Sequence, residues 1–107
     1  MFARTVAFSL KPNSVPEFTQ KFESAVLPIL QNQPGFRNEF VLISADDVHG
    51  HATSLWETRG DADAYDRKSY PQVLAALETI VVGVPKVRTS NVVHSSVSVA
   101  TASVVAA

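Results

Sequence analysis

Few residues of this chain have side chains able to act on a small molecule. Trp56, the one tryptophan, ends an alternating run. A flat indole can stack a planar ring, and its N–H can orient one polar atom; the alternative is a core tryptophan. Tyr65 and Tyr70 follow on the next helical segments, with hydroxyls that reach the same space or are satisfied at a core or rim position. Arg4 shares a strand face with Phe2, Val6, Phe8 and Leu10. A guanidinium there needs an anion, either a ligand oxyanion or Glu57, unless it snorkels to solvent. Asn38, on the pattern of Phe36, Phe40 and Leu42, raises the same question. His94, in the last strand, is a candidate base, because an imidazole is the side chain suited to proton transfer near neutral pH, or else it caps a strand pair.

Other chemistries lack support. The chain has no cysteine, which removes disulfides, thiol catalysis and thiolate metal sites. His49 and His51 lie near Asp46 and Asp47, but Gly50 marks a hairpin turn and nothing fixes a third ligand, so this reads as a solvated loop. No glycine-rich phosphate loop, nucleophile elbow or framed carboxylate pair is present. Net charge is −1 with no basic stripe, which argues against nucleic acid as a partner. The longest aliphatic run, Ile80-Val81-Val82, is far short of the ~20 residues of a membrane span. Met1-Phe2-Ala3-Arg4 lacks the pattern of a secretory signal, so the expected location is cytoplasmic.

The elements that must position these residues follow from periodicity. At 107 residues, 46% apolar and 18% charged, the chain suits one packed domain, expected over residues 1–97. Phe2 to Leu10 alternates large and small residues and predicts a strand. Ser14-Val15-Pro16-Glu17 reads as a capping box, opening a helix whose apolar face carries Val15, Phe18, Phe22, Val26, Ile29 and Leu30. Pro28 should bend its last turn, near Gln31. Pro34-Gly35 turns the chain into a second strand, Phe36 to Ser44, with apolar groups on both faces, and a polar hairpin loop leads to a third, His51 to Thr58. Asp61 is the expected cap of a helical segment to Lys68, and Ser69 of one from Tyr70, stopped by Gly83 and Pro85. Val87 to Val97 completes a βαββαβ order, an α+β ferredoxin-like fold with helices on one face of a four-stranded antiparallel sheet. Apolar residues on the other face call for a cover, hence a homodimer. Residues 98–107 are a frayed tail or a strand added across the dimer.

The stretch Ser54-Leu55-Trp56-Glu57-Thr58-Arg59-Gly60-Asp61-Ala62-Asp63-Ala64-Tyr65, with Gln33-Pro34-Gly35-Phe36 before it and Gly83-Val84-Pro85-Lys86-Val87 after it, resembles the antibiotic biosynthesis monooxygenase family of dimeric α+β barrels. The resemblance implies that a second subunit's sheet provides the cover, with the pocket between helices and sheet. It implies oxygenation of a small aromatic or quinol-like substrate without flavin, metal or other cofactor. In that reading Trp56 stacks the ring and Tyr65 or Tyr70 bonds its oxygen. His94 takes a proton and Arg4 holds the developing anion, with Asn38 and Phe22 in the binding wall. Ala52 stands where a polyketide-oxidising member has a polar amide, so one substrate contact is missing. Haem-degrading relatives use a helix histidine, and Tyr70 to Val82 contains none. The rival function is a non-catalytic dimeric barrel that binds a small apolar ligand, in a stress or regulatory role.

Overall fold

The computed structural model describes residues 1–96. The end of the expected fourth strand and the tail over 98–107 lie outside the described residues. Strand β1 is Phe2–Leu10, as its alternation predicts. Helix α1, Val15–Lys21, runs directly into a π-helical turn, Phe22–Val26, and then into α2, Leu27–Gln31. The last turn, where Pro28 was expected to bend the helix, is regular α2; the irregularity is this wide turn just ahead of the proline. The Leu27 N–H donates to the Phe22 carbonyl five residues back, just before the proline that cannot donate at all. Strands β2, Phe36–Ile43, and β3, His49–Trp56, form a hairpin. Helices α3, Arg59–Lys68, and α4, Tyr70–Leu77, lead to β4, Val81–Asn91.

The sheet order is β2-β3-β1-β4, with every neighbouring pair antiparallel. This is the ferredoxin-like α+β arrangement. The core between helices and sheet is built on Phe2, Leu10, Phe18, Val26, Leu30, Trp56, Tyr65, Val73, Leu77 and Ile80, of which Trp56, Leu10, Ile80 and Val26 are the largest wholly buried side chains. No helix among the described residues is long and apolar enough to cross a membrane.

Several local expectations are corrected. Ser14 does not cap α1 through its side chain; its Oγ donates to the Lys11 carbonyl at 2.5 Å. Ser69 makes no side-chain cap either. The cap of α3 is Thr58 rather than Asp61: Thr58 Oγ1 accepts from the Asp61 N–H at 3.1 Å and donates to Asp61 Oδ2 at 2.9 Å. Gly83 and Pro85 do not end α4, which stops at Leu77, but lie inside β4. There Gly83 takes a left-handed φ of 75° and Pro85 has no N–H to pair, so β4 bulges where its register against β1 shifts between Ala7 and Ser9.

A second bulge matters more for the site. The register between β2 and β3 shifts between Phe36 and Asn38, so Phe36 pairs with Trp56 while Asn38 pairs with Leu55 and Glu39 with Ser54. Unbroken alternation would group Asn38 with Phe36. The bulge puts Phe36, Glu39, Val41 and Ile43 on the helix side. It turns Asn38, Phe40 and Leu42 to the other face, where Phe40 is 44% and Leu42 61% exposed. That uncovered face continues through Thr5 and Ala7 to their β4 partners Arg88 and Lys86.

Candidate active site

Between the helices and the sheet lies a cavity of about 510 Å³. Val6, Phe8 and Ala52 form part of its floor, and Phe18, Phe22, Val26 and Leu30 line it from the helix that carries the π turn. Its mouth lies by α4 and the β4 bulge, where exposed Leu74, Glu78 and Val84 reach the opening.

Across this hydrocarbon floor runs one polar row. Arg4 on β1 and Glu39 on β2 are both register partners of Ser54 on β3, the strand between them. All three line the cavity. Adjacent strands lie roughly 4.8 Å apart, so the Arg4 and Glu39 backbones are about 10 Å from each other.

Arg4 is only 3% exposed, and its expected pairing with Glu57 does not occur: Glu57 bonds Arg37 instead. The Arg4 anion is Asp66 on α3, at 2.7 Å from Nη2 to Oδ1. The guanidinium also lies 4.0 Å from the Tyr70 ring centre and 5.2 Å from that of Tyr65. Tyr65 is buried and Tyr70 half-buried, and both line the cavity. Burial pushes both phenol pKa values upward, against the opposing pull of Arg4. At neutral pH these hydroxyls are therefore hydrogen-bond donors rather than bases.

Trp56 is placed otherwise than expected. It is wholly buried and does not line the cavity. Its indole N–H donates to Ser54 Oγ at 2.8 Å, and Ser54 Oγ in turn reaches the Arg4 carbonyl at 3.3 Å. Its ring meets Phe36 edge-on at 5.6 Å and lies 5.1 Å from Tyr65. The tryptophan thus backs the polar row and a wall tyrosine instead of forming the wall.

Two other candidates fall outside the site. Asn38 faces away because of the bulge, and its Oδ1 accepts from the Glu39 N–H at 2.8 Å. His94 is exposed beyond the end of β4, so it is not on a strand and does not line the cavity. His49 forms an exposed pair with Asp46 at 2.5 Å, and among the described residues no three His, Asp or Glu side chains gather as metal ligands. Phe22 and Ala52 do line the cavity.

The residue missed by sequence reading is Glu39. Its Oε1 is buried without a hydrogen-bond partner, and burial raises its pKa from an ordinary 4.5 to about 8, with Arg4 pulling it down. The available signal was a carboxylate alternating with Val41 and Ile43.

No family model matches the sequence, and no curated protein matches it either. Solved structures do match, over nearly the whole chain. A proposed antibiotic biosynthesis monooxygenase of Nitrosomonas europaea has a TM-score of 0.70 at 19% identity, covering 88% of this chain and 100% of that one. SnoaB, a cofactor-independent oxygenase of Streptomyces nogalater, has a TM-score of 0.73 at 14% identity, covering 90% and 96%. The monooxygenase of the ActVA-Orf6 gene of Streptomyces coelicolor, in complex with nanaomycin D, has 0.73 at 17%, covering 88% of each. The chain therefore has the fold of the antibiotic biosynthesis monooxygenases, the family that the Trp56 stretch and its flanking turns resemble.

Proposed function

We propose that this protein oxygenates a small planar hydroxyarene or quinol-like molecule with O₂, drawing all electrons from the substrate. The observation that carries the reading is the polar row across an apolar cavity, with two neutral tyrosines above it. Hydrocarbon walls suit a flat ring and keep water from the reacting centre, while Arg4, Ser54, Tyr65 and Tyr70 converge to orient its oxygens. The oxygenases among the structural neighbours, one of them cofactor-independent, support the reaction type.

The chemistry balances without an external reductant. Loss of the hydroxyl proton gives a phenolate with carbanion character at a ring carbon. That carbon passes one electron to O₂, and the radical pair combines into a C–O bond. The peroxide takes a proton, the ring carbon loses its hydrogen as a proton, and the O–O bond breaks. One oxygen atom stays as a quinone carbonyl and the other leaves as water. The chain's task is to hold the ring, to bind the negative oxygen with Arg4 and the tyrosine hydroxyls, and to exclude bulk water.

The working unit we propose is a homodimer. Phe40 and Leu42 on the uncovered sheet face are the apolar groups that a second copy would bury. The test of function is oxygen uptake on a panel of hydroxynaphthalenes by chelator-treated protein. Uptake that persists after chelation supports the reading, whereas binding without uptake favours a non-catalytic ligand-binding barrel.

A further inference from the structure

Glu39 occupies the cavity face of β2, where its neighbours on that face are Phe36, Val41 and Ile43. A buried carboxyl oxygen with no partner forfeits its hydration and gains nothing in return unless a ligand supplies a donor. The other charged or titratable groups facing the cavity are already engaged or unsuited to accept a proton. Arg4 from β1 is held by Asp66 of α3 and by the Tyr70 ring. Tyr65 of α3 and Tyr70 of α4 stay protonated, and Glu78, the residue after α4, stands exposed at the mouth.

We propose that Glu39 is the catalytic proton acceptor of this cavity, and that it selects ligands bearing a free hydroxyl. The ligand O–H donates to the Glu39 carboxylate; that O–H bond breaks, a carboxyl O–H forms, and the electron pair remains on the ligand oxygen. Arg4, at the other end of the row, attracts the oxygen that becomes negative. A methyl ether gives Glu39 no donor, and a ligand carboxylate placed beside it meets a like charge, so both classes are disfavoured. The inference rests on the reading that a hydroxyarene occupies the cavity.

Carbon-13 NMR titration of the Glu39 carboxyl, assigned by its loss in Glu39→Gln or Glu39→Asp, tests this without turnover. It is run anaerobically on the full chain, alone and saturated with 1-naphthol or 1-methoxynaphthalene. Naphthol should lower the midpoint from about 8 by roughly one unit, equivalent to about tenfold tighter binding to the ionised form. The methyl ether should leave it in place or raise it. Glu39→Gln should bind naphthol about tenfold more weakly above that midpoint and bind the ether at least as well as wild type does. Equal movement with both ligands, no movement at saturation, or failure of naphthol to bind overturns the proposal. Because no oxygen is consumed, the titration separates the two claims: a naphthol-specific shift without oxygen uptake removes the oxygenase and keeps Glu39, and uptake without a shift does the reverse.

Discussion

Arg4 and Glu39 lie in one row across the sheet, each the cross-strand partner of Ser54 and each facing the cavity. The row places a buried cation and a buried acid on opposite sides of a central hydroxyl, in a floor otherwise made of hydrocarbon. Its energetic consequences can be measured separately from any reaction.

Glu39 should make stability fall as pH rises. Its folded-state pKa, about 8, lies above the ordinary 4.5, so between those values the folded protein keeps a proton that the unfolded chain has released. The unfolded state then binds fewer protons, and stability drops through that window and levels above it. Glu39→Gln should match wild type near pH 4 and exceed it by a few kcal/mol near pH 9, with about 5 kcal/mol as a ceiling. Thermal melts across pH check this; equal pH profiles for the two proteins would be inconsistent with a carboxyl whose pKa burial raises.

Removing the cation should act on the same titration. Arg4→Met keeps much of the apolar stem but deletes the charge that favours ionised Glu39, so the Glu39 midpoint should move above about 8. The variant also leaves the half-exposed Asp66 to solvent and loses the Tyr70 contact, at a cost of about 1–2 kcal/mol. An unmoved midpoint would mean that the two groups do not sense each other.

Trp56 should behave as a core residue. Its emission should resist quenching by acrylamide, because the indole is wholly buried. Trp56→Phe leaves Ser54 Oγ without its donor and should cost about 1–3 kcal/mol. Trp56→Ala should cost about 3–5 kcal/mol. Ready quenching, or a neutral alanine variant, would return the indole to the cavity wall.

These residues also mark how far the sequence could be read. The alternation of Phe2 to Leu10 yields β1 to the residue, because period two is a property of the strand itself. The Trp56-to-Tyr65 stretch likewise carries its own strand end and helix start. What alternation cannot reveal is a bulge: one slip after Phe36 moved Asn38 out of the site and Glu39 into it. A one-residue shift of phase exchanges every side chain's face, and nothing in Arg37-Asn38-Glu39 announces it. His94 failed for a related reason, since β4 starts earlier than Gly83 and Pro85 suggest and ends at Asn91. Tyr65, Tyr70, Arg4 and Phe22 line the cavity, where the family resemblance and not periodicity implied them, while Trp56 was found at the right end of the right strand but one layer too deep.

The uncovered face should set the assembly. Light scattering should give a dimer, and Leu42→Asp combined with Phe40→Asp should yield a folded monomer, because the substitutions introduce charge on side chains already exposed in the single chain. A monomeric wild type, or a double variant that remains dimeric, would place the contact elsewhere.

The central claim is that O₂ is split by electrons from the bound ring, and oxygen-18 labelling tests it most directly. Chelator-treated protein is incubated with 1,4-dihydroxynaphthalene and related hydroxyarenes under labelled O₂, against a protein-free control for autoxidation. The predicted result is a product with one labelled oxygen atom bonded to ring carbon and the other in water, with a kcat/KM that rises as Glu39 of the free protein ionises through about pH 8. Product without label, oxygen recovered as hydrogen peroxide, or activity lost on chelation and restored by one metal would contradict it.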